Sequence, residues 1–434
     1  MYKIATYKNG LKVLTAPVSG SKTVTVLVAI GTGSKYENKE NNGVSHFLEH
    51  MFFKGTKKFA TPLSLASAMD VTGGEYNAFT GKEMTAYYMK VDAKKADRAL
   101  ELISDMLVNS KFAEAEFERE RGVIIEEINM YEDNPMMYVE DLFEQCLYGD
   151  TAAGWDTAGD KENIKKMKRS DLVDYFTSQY QLHNTLICVA GALPSGLEAR
   201  INKYFGNYAK NKKPIDFIDK QSVFVEQDKA AVKLKYKKTD QAHLSLGVPT
   251  FATGDKRETI IKIISVILGG SMSSRLFTEL REKRGMAYYV HTQAEGYTDA
   301  GYLTTQAGVP VDKVDEAIEC ILLEYKKISS VLLKKEELAR IKEMLNGKIV
   351  MKLEGSDDVA NWYARQAILS ITQAREQGKG KIIMEPKTFL AQLNKITPED
   401  IRSVAKEIFK AEKLNLAIIG PYEDYEKFEN LLKL

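Results

Sequence analysis

The chain has 434 residues, of which 44% are hydrophobic and 28% charged. That is the balance of a globular protein with sizeable cores, and the length suits about two to four domains. A formal net charge of +1 leaves no electrostatic case for nucleic acid or an anionic membrane surface as partner. In chain order, Lys3–Pro17 reads as strand, turn at Asn9-Gly10, strand, and Thr23–Gly31 (TVTVLVAIG) as an alternating β-branched strand. Gly43–Phe53 reads as a helix, because Val44, Phe47, Leu48, Met51 and Phe52 form one apolar stripe. Asn77–Val91 follows as strand or hairpin, then Lys94–Asn109 and Ala113–Tyr131 as helices. In the second half, Val232–Val248 is a predicted strand, Arg257–Leu268 a helix, Ala287–Gln306 a strand and Val311–Ile328 a helix.

The punctuation of the two halves repeats. Ser170-Asp171-Leu172 opens a helical pattern, and LICVAG ends at Gly191; Thr397-Pro398-Glu399-Asp400-Ile401 opens another, and LNLAIIG ends at Gly420. Val91-Asp92 leads to Asp97-Arg98-Ala99-Leu100 as Val309-Pro310 leads to Asp315-Glu316-Ala317-Ile318. Two copies are too few for a solenoid, so the pattern predicts duplicated domains at 1–212 and 230–434, joined by a Lys-rich linker at 213–229. Strands followed by helices, with hairpin signals, indicate α+β domains with mainly antiparallel sheets.

Cys146, Cys188 and Cys320 are widely spaced and form no CxxC pair, which suggests structural thiols in a reducing compartment. The N-terminal residues lack an apolar signal region, and no apolar run reaches the ~18 residues of a membrane span. A cytoplasmic protein is the expectation.

Two of the five histidines, His46 and His50, sit one helical turn apart in HFLEH. On a helix, positions 46, 49 and 50 share a face. Two imidazoles so placed can grip one metal ion, and a carboxylate beside it can take a proton from water; Glu49 has that place. The order is HExxH reversed, the inverzincin pattern. A third ligand is expected from the acid-rich helical stretch EAEFERERGVIIEE, where Glu120 and Glu127 share a face and Glu126 points elsewhere. Spacing alone leaves Glu116, Glu120 and Glu127 open. His183, His243 and His291 are isolated and read as structural.

HFLEHMFFKGT, GGEYNAFTGKEMTAYY and FERERGVIIEEI, in this order, resemble the M16 metallopeptidases, the family of pitrilysin, insulin-degrading enzyme and the mitochondrial processing peptidase with its β subunit. The likeness spans essentially the whole chain, and its length matches the bacterial processing-protease-like M16B group. The resemblance implies one zinc ion per chain on His46, His50 and Glu127, Glu49 as general base, and Glu120 as an acid supporting the ligands from behind. It implies that Asn77, Ala78 and Phe79, in EYNAFT, lie on an edge strand that receives an extended peptide. In RLFTELREKRGMAYYV of the second half it implies roles for Arg281, holding substrate backbone, and Tyr288, donating to the oxyanion. The second half has no HxxEH; Ile261, Ile264 and Ser265 fall opposite His46, Glu49 and His50. It also lacks the long Gly-rich loop of the non-catalytic processing-peptidase subunit at Gly269-Gly270-Ser271.

The expectation that follows is a zinc endopeptidase of unfolded or short peptides, acting in an enclosed chamber. Two identical chains would close as a clamshell with composite sites. A catalytically weak binding or assembly subunit and a hydrolase of non-peptide amides are the rivals.

Overall fold

The computed structural model describes residues 2–208, 217–223, 226–378, 380 and 383–434. Its strands are β1 (Lys3–Thr6), β2 (Lys12–Pro17), β3 (Thr23–Ile30), β4 (Glu75–Thr80), β5 (Thr85–Asp92), β6 (Thr185–Gly191), β7 (Ala231–Tyr236), β8 (Gln241–Thr250), β9 (Tyr289–Gly296), β10 (Gly301–Pro310) and β11 (Asn415–Gly420). They form a six-stranded sheet in the order β1-β2-β6-β3-β5-β4 and a five-stranded sheet in the order β7-β11-β8-β10-β9. All neighbours are antiparallel except β2 with β6 and β7 with β11. The two orders match strand for strand once β1 is set aside, so the duplication predicted from the punctuation is a duplication of topology.

The first sheet is covered on both faces. Along β3, Val24, Val26, Val28 and Ile30 meet helices Val44–Met51, Ala96–Asn109 and Arg169–Gln179, through residues such as Phe47, Leu100, Ile103 and Leu172. Leu27 and Ala29 point the other way, onto Ala360, Ala364, Ala367 and Ile368 of helix Ser356–Gln377. A strand buried on both sides needs apolar side chains in both registers, which is why TVTVLVAI is nearly continuous rather than alternating. In the second sheet, Leu244, Leu246 and Leu303 pack with helices Glu258–Gly269, Val314–Ser330 and Pro398–Ile408. Ala417, Ile419 and Tyr302 pack under Val139, Leu142 and Phe143 of helix Pro135–Tyr148.

The compact units therefore differ from the sequential halves 1–212 and 230–434. One comprises Met1–Ile128, Asp156–Gln221 and Lys348–Glu385; the other comprises Asn129–Trp155, Ser222–Gly347 and Pro386–Leu434. The reason is the second face of each sheet, which is covered by a helix from the other half of the sequence. Of the expected linker, 213–216 and 224–225 lie outside the described residues.

The predicted strands Val232–Val248 and Ala287–Gln306 are each two strands. The polar run Lys237–Asp240 separates β7 from β8, and Tyr297–Ala300 separates β9 from β10. Among the described residues no helix is long and apolar enough to cross a membrane.

Candidate metal centre

Helix Val44–Met51 begins where it does because of two residues before it. Gly43 has φ 98°, a left-handed conformation, and an added Cβ would come within 2.8 Å of the Ala158 carbonyl oxygen. Glu37 then caps the helix: Oε2 accepts from Gly43 N (2.8 Å) and Asn42 Nδ2 (3.0 Å), and Oε1 accepts from Ser45 N (2.8 Å). A carboxylate there satisfies backbone donors that the helix itself cannot. The Tyr175 hydroxyl adds hydrogen bonds to Ser45 Oγ (2.7 Å) and Thr32 Oγ1 (2.8 Å). With Val44, Ser45, Phe47, Leu48 and Met51 buried, the remaining face of the helix carries His46, Glu49 and His50.

Helix Glu114–Asp133 is drawn against this one by an aromatic stack. The Phe47 and Phe117 rings lie 4.5 Å apart with planes 3° from parallel. One and three turns further along from Phe117, Glu120 and Glu127 reach the histidines. Glu127 Oε2 lies 3.3 Å from His50 Nε2 and 3.7 Å from His46 Nε2, and the two Nε2 atoms are 3.3 Å apart. Four-coordinate zinc with ligand bonds of ~2.0–2.1 Å has tetrahedral edges of about 3.3–3.4 Å. The three donors fit three corners of such a tetrahedron, and two imidazoles with one carboxylate is a zinc donor set. Among the described residues this is the one His/Cys/Asp/Glu group so disposed. Of the carboxylates the spacing left open, Glu116 pairs with Arg119 (2.6 Å), Glu120 meets His50 Nδ1 (2.8 Å), and Glu127 is the one that lies near both Nε2 atoms.

Three further contacts organise the centre. His50 Nδ1 donates to Glu120 Oε1 (2.8 Å), which turns Nε2 toward Glu127, and Lys54 Nζ donates to Glu120 Oε2 (2.7 Å). Glu49 Oε2 accepts from Thr80 Oγ1 (2.5 Å) at the end of β4. Among the described residues His46 Nδ1, which is buried, has no hydrogen-bond partner, whereas the His50 ring is oriented from behind by Glu120.

Electrostatics separate the groups. Burial, then the neighbouring His50, pushes His46 down to about 4. Burial also works against a charged His50, but its hydrogen bonds to Glu120 and Glu127 outweigh that and carry it up to about 9. Burial raises Glu49, with the Thr80 hydrogen bond opposing. Glu120 is lowered: burial opposes its ionisation, but the bonds from His50 and Lys54 prevail. Glu127 is lowered chiefly by its hydrogen bond with His50.

Asn77, Ala78 and Phe79 lie on β4, which among the described residues pairs with β5 alone and leaves its other edge open. Asn77 and Phe79 are exposed, and Asn77 Oδ1 accepts from Ala78 N (2.9 Å). Arg281 and Tyr288 belong to the second unit. Arg281 Nη1 donates to the Tyr288 carbonyl oxygen (2.7 Å), and the Tyr288 side chain is exposed. In the second unit Ile261, Ile264 and Ser265 are buried, so that helix offers core where the first offers ligands. Glu37, Lys54 and Thr80 were not anticipated. Lys54 had a signal, lying four residues beyond His50, and Thr80 shares a strand face with Ala78; Glu37 had none.

The molecule is an α+β repeat of two mixed sheets carrying a His-His-Glu group that could hold a metal ion, and the comparisons with known proteins say what it is similar to. The family described as Insulinase (Peptidase family M16) matches residues 12–161, and the Peptidase M16 inactive domain matches 166–345. An uncharacterized zinc protease of Bacillus subtilis, YmxG, is 33% identical over 97% of this chain and 98% of its own length. An uncharacterized zinc protease of Streptomyces coelicolor is 31% identical over 96% of this chain and 89% of its own. A protease from Helicobacter pylori has the same fold, with a TM-score of 0.87 at 24% identity, covering 97% of this chain and 99% of that one. The chain belongs to peptidase family M16.

Proposed function

We propose that the protein is a zinc-dependent endopeptidase acting on unfolded or short peptides. The observation that carries this is the convergence of His46 Nε2, His50 Nε2 and Glu127 Oε2 at tetrahedral spacing on a helix that also presents Glu49. The naming of the relatives as zinc proteases supports it. Zinc on these three residues would supply a Lewis acid for the scissile carbonyl and a water whose pKa is near ~7.

The remaining work falls to the chain. Glu49 takes the proton of the attacking water and passes one to the leaving amine. Its burial-raised affinity for a proton suits that exchange, and Thr80 fixes one of its oxygens. Glu120 holds the His50 ring through Nδ1. The peptide adds as a strand to the open edge of β4 at Asn77, Ala78 and Phe79, its carbonyl replacing Asn77 Oδ1 on the Ala78 N–H. Main-chain pairing of this kind reads backbone, which favours loose sequence specificity.

Arg281 and Tyr288 complete the site on the partner of a homodimer, Tyr288 donating to the oxyanion. Their presence in a chain that also carries the His-His-Glu centre supports two composite sites per dimer. Mixing His50→Ala chains with Arg281→Ala chains tests this: recovered activity on subunit exchange is expected, and none would overturn it. The free cysteines Cys146, Cys188 and Cys320 support a reducing, cytoplasmic setting.

The central test is cleavage of a quenched unstructured peptide. Activity lost to a chelator and restored by zinc is the expected result. A protein that holds zinc but cuts no peptide would overturn the proposal, and one that holds none would be an assembly subunit.

A further inference from the structure

The turn between β4 and β5 is held by more than a hairpin turn needs. Gly81 N donates to the Met84 carbonyl (2.8 Å), which closes the turn itself. Residues 33–35 then clamp it from outside: Ser34 N donates to Gly81 O (3.2 Å), and Lys35 N to Lys82 O (2.9 Å). The approach is so close that a Cβ on Gly33 would lie 2.0 Å from Gly81 O. Thr85 Oγ1 donates to the Thr32 carbonyl (3.0 Å).

Beneath the turn lies a buried charge network. Lys35 Nζ sits 2.9 Å from Glu83 Oε1, and both side chains are almost fully buried. Lys220 Nζ, equally buried, is 3.8 Å from the same oxygen and also pairs with Glu376. Glu376 accepts from the Tyr36 hydroxyl (2.9 Å) and Arg375 Nη2 (3.2 Å), and Arg375 reaches Asp219 Oδ1 (3.0 Å). Lys220 is next to Gln221, where the chain leaves the first unit.

This network ends one step from the metal centre. Glu83 is three residues from Thr80, whose hydroxyl holds Glu49 Oε2 at 2.5 Å. Among the described residues β4 has a strand neighbour on one side only, so the position of Thr80 depends on the turn that follows it. We infer that Glu83, clamped by Lys35 and Lys220, is a positioning residue for catalysis. It fixes the β4–β5 turn so that Thr80 keeps Glu49 in line for proton transfer. The inference rests on Glu49 being the general base. Buried ion pairs give little net stability against apolar replacements of similar size, so this one calls for a role in geometry.

The test is a double-mutant cycle on Thr80→Val and Glu83→Gln, with kcat and KM measured separately on the quenched peptide and zinc content measured alongside. Glu83→Gln is expected to lower kcat about 10- to 100-fold, the scale of a small misplacement of a reacting group, while KM and zinc content stay near wild type. Thr80→Val is expected to do the same, and Thr80→Ser to restore most of the loss. The double variant should be no worse than Thr80→Val, because both changes break one linkage. Multiplying losses, or an unchanged kcat in Glu83→Gln, would overturn the inference.

Lys220→Met approaches the network from outside the turn and should repeat the kcat loss; an unchanged kcat there would refute the part of Lys220. Hydrogen–deuterium exchange gives a readout free of activity. Glu83→Gln should speed exchange in residues 75–84 and leave helix Val44–Met51 as in wild type. Unchanged exchange at 75–84 would overturn the inference even if the wild type cut no peptide, and a wild type that cut none would sink the endopeptidase reading separately.

Discussion

Replacing Glu120 by glutamine tests how the centre is held from behind. The carboxylate is buried and makes two charge-assisted contacts, 2.8 Å to His50 Nδ1 and 2.7 Å to Lys54 Nζ. Glutamine has the same shape but only one acceptor oxygen. If that oxygen stays on His50, the amide NH2 faces the Lys54 ammonium, donor against donor. Lys54 is partly exposed and can swing into solvent, so the clash relaxes, but the bond to His50 becomes a neutral one. A hydrogen bond to a charged group contributes roughly 1.5–3 kcal/mol and a neutral one roughly 0.5–1.5. The difference of about 1–1.5 kcal/mol is about a 5- to 12-fold loss of zinc affinity. That is near the lower end of the ~10- to 100-fold range for groups that orient metal-bound histidines.

Lys54→Met leaves the Glu120–His50 bond in place and removes only the cation behind it. Its effect should be smaller, about 0.5–1 kcal/mol or roughly 2- to 5-fold, since Lys54 reaches solvent. Competition with a chromophoric chelator at a fixed pH above about 9 measures both, because at lower pH Glu120 also favours the proton on His50 that zinc must displace. An unchanged affinity in Glu120→Gln, or a larger loss in Lys54→Met than in Glu120→Gln, would refute the reasoning.

Glu49→Gln should lower kcat by about 10²- to 10⁴-fold, the share of a general base, and keep full zinc, because Glu49 is outside the donor set; loss of zinc in that variant would move Glu49 among the ligands. Glu37→Ala removes the acceptor of two backbone N–H groups at the start of helix Val44–Met51 and should cost about 1–3 kcal/mol of stability by urea unfolding; an unchanged midpoint would show that Asn42 or water takes over the cap. Zinc affinity should rise with pH. His50 is held protonated up to about 9 by Glu120 and Glu127, whereas His46, lowered to about 4, is already neutral. A metal must therefore displace one proton, and affinity should fall about tenfold per pH unit between about 8.5 and 6.5. A flat profile there would mean His50 is neutral before zinc arrives.

Much of this centre was legible because it depends on local periods. The stripe Val44, Phe47, Leu48 and Met51 implies a helix, and a helix at once puts His46, Glu49 and His50 on one face. The same logic put Glu120 and Glu127 on one face of the later helix and could go no further. What chooses between them is the Phe47–Phe117 stack, which sets how the two helices meet, and no spacing within one helix encodes a crossing between two. Resemblance to a family supplied that step.

What stayed hidden joins residues far apart in sequence. Lys and Glu are solvated surface charges as a rule, and nothing in the sequence sets Glu83, Lys35 and Lys220 apart; only burial together makes them partners. The exchanged helices show the same limit from the apolar side. Tyr138, Val139, Leu142 and Phe143 mark a helix with one buried face, but nothing in the stripe says which sheet it will cover. A sheet buried on both faces must recruit a second layer, and in a duplicated chain either copy can supply it. The supply here comes from the other half of the sequence, so unit boundaries drawn at the repeat could not coincide with those of the cores.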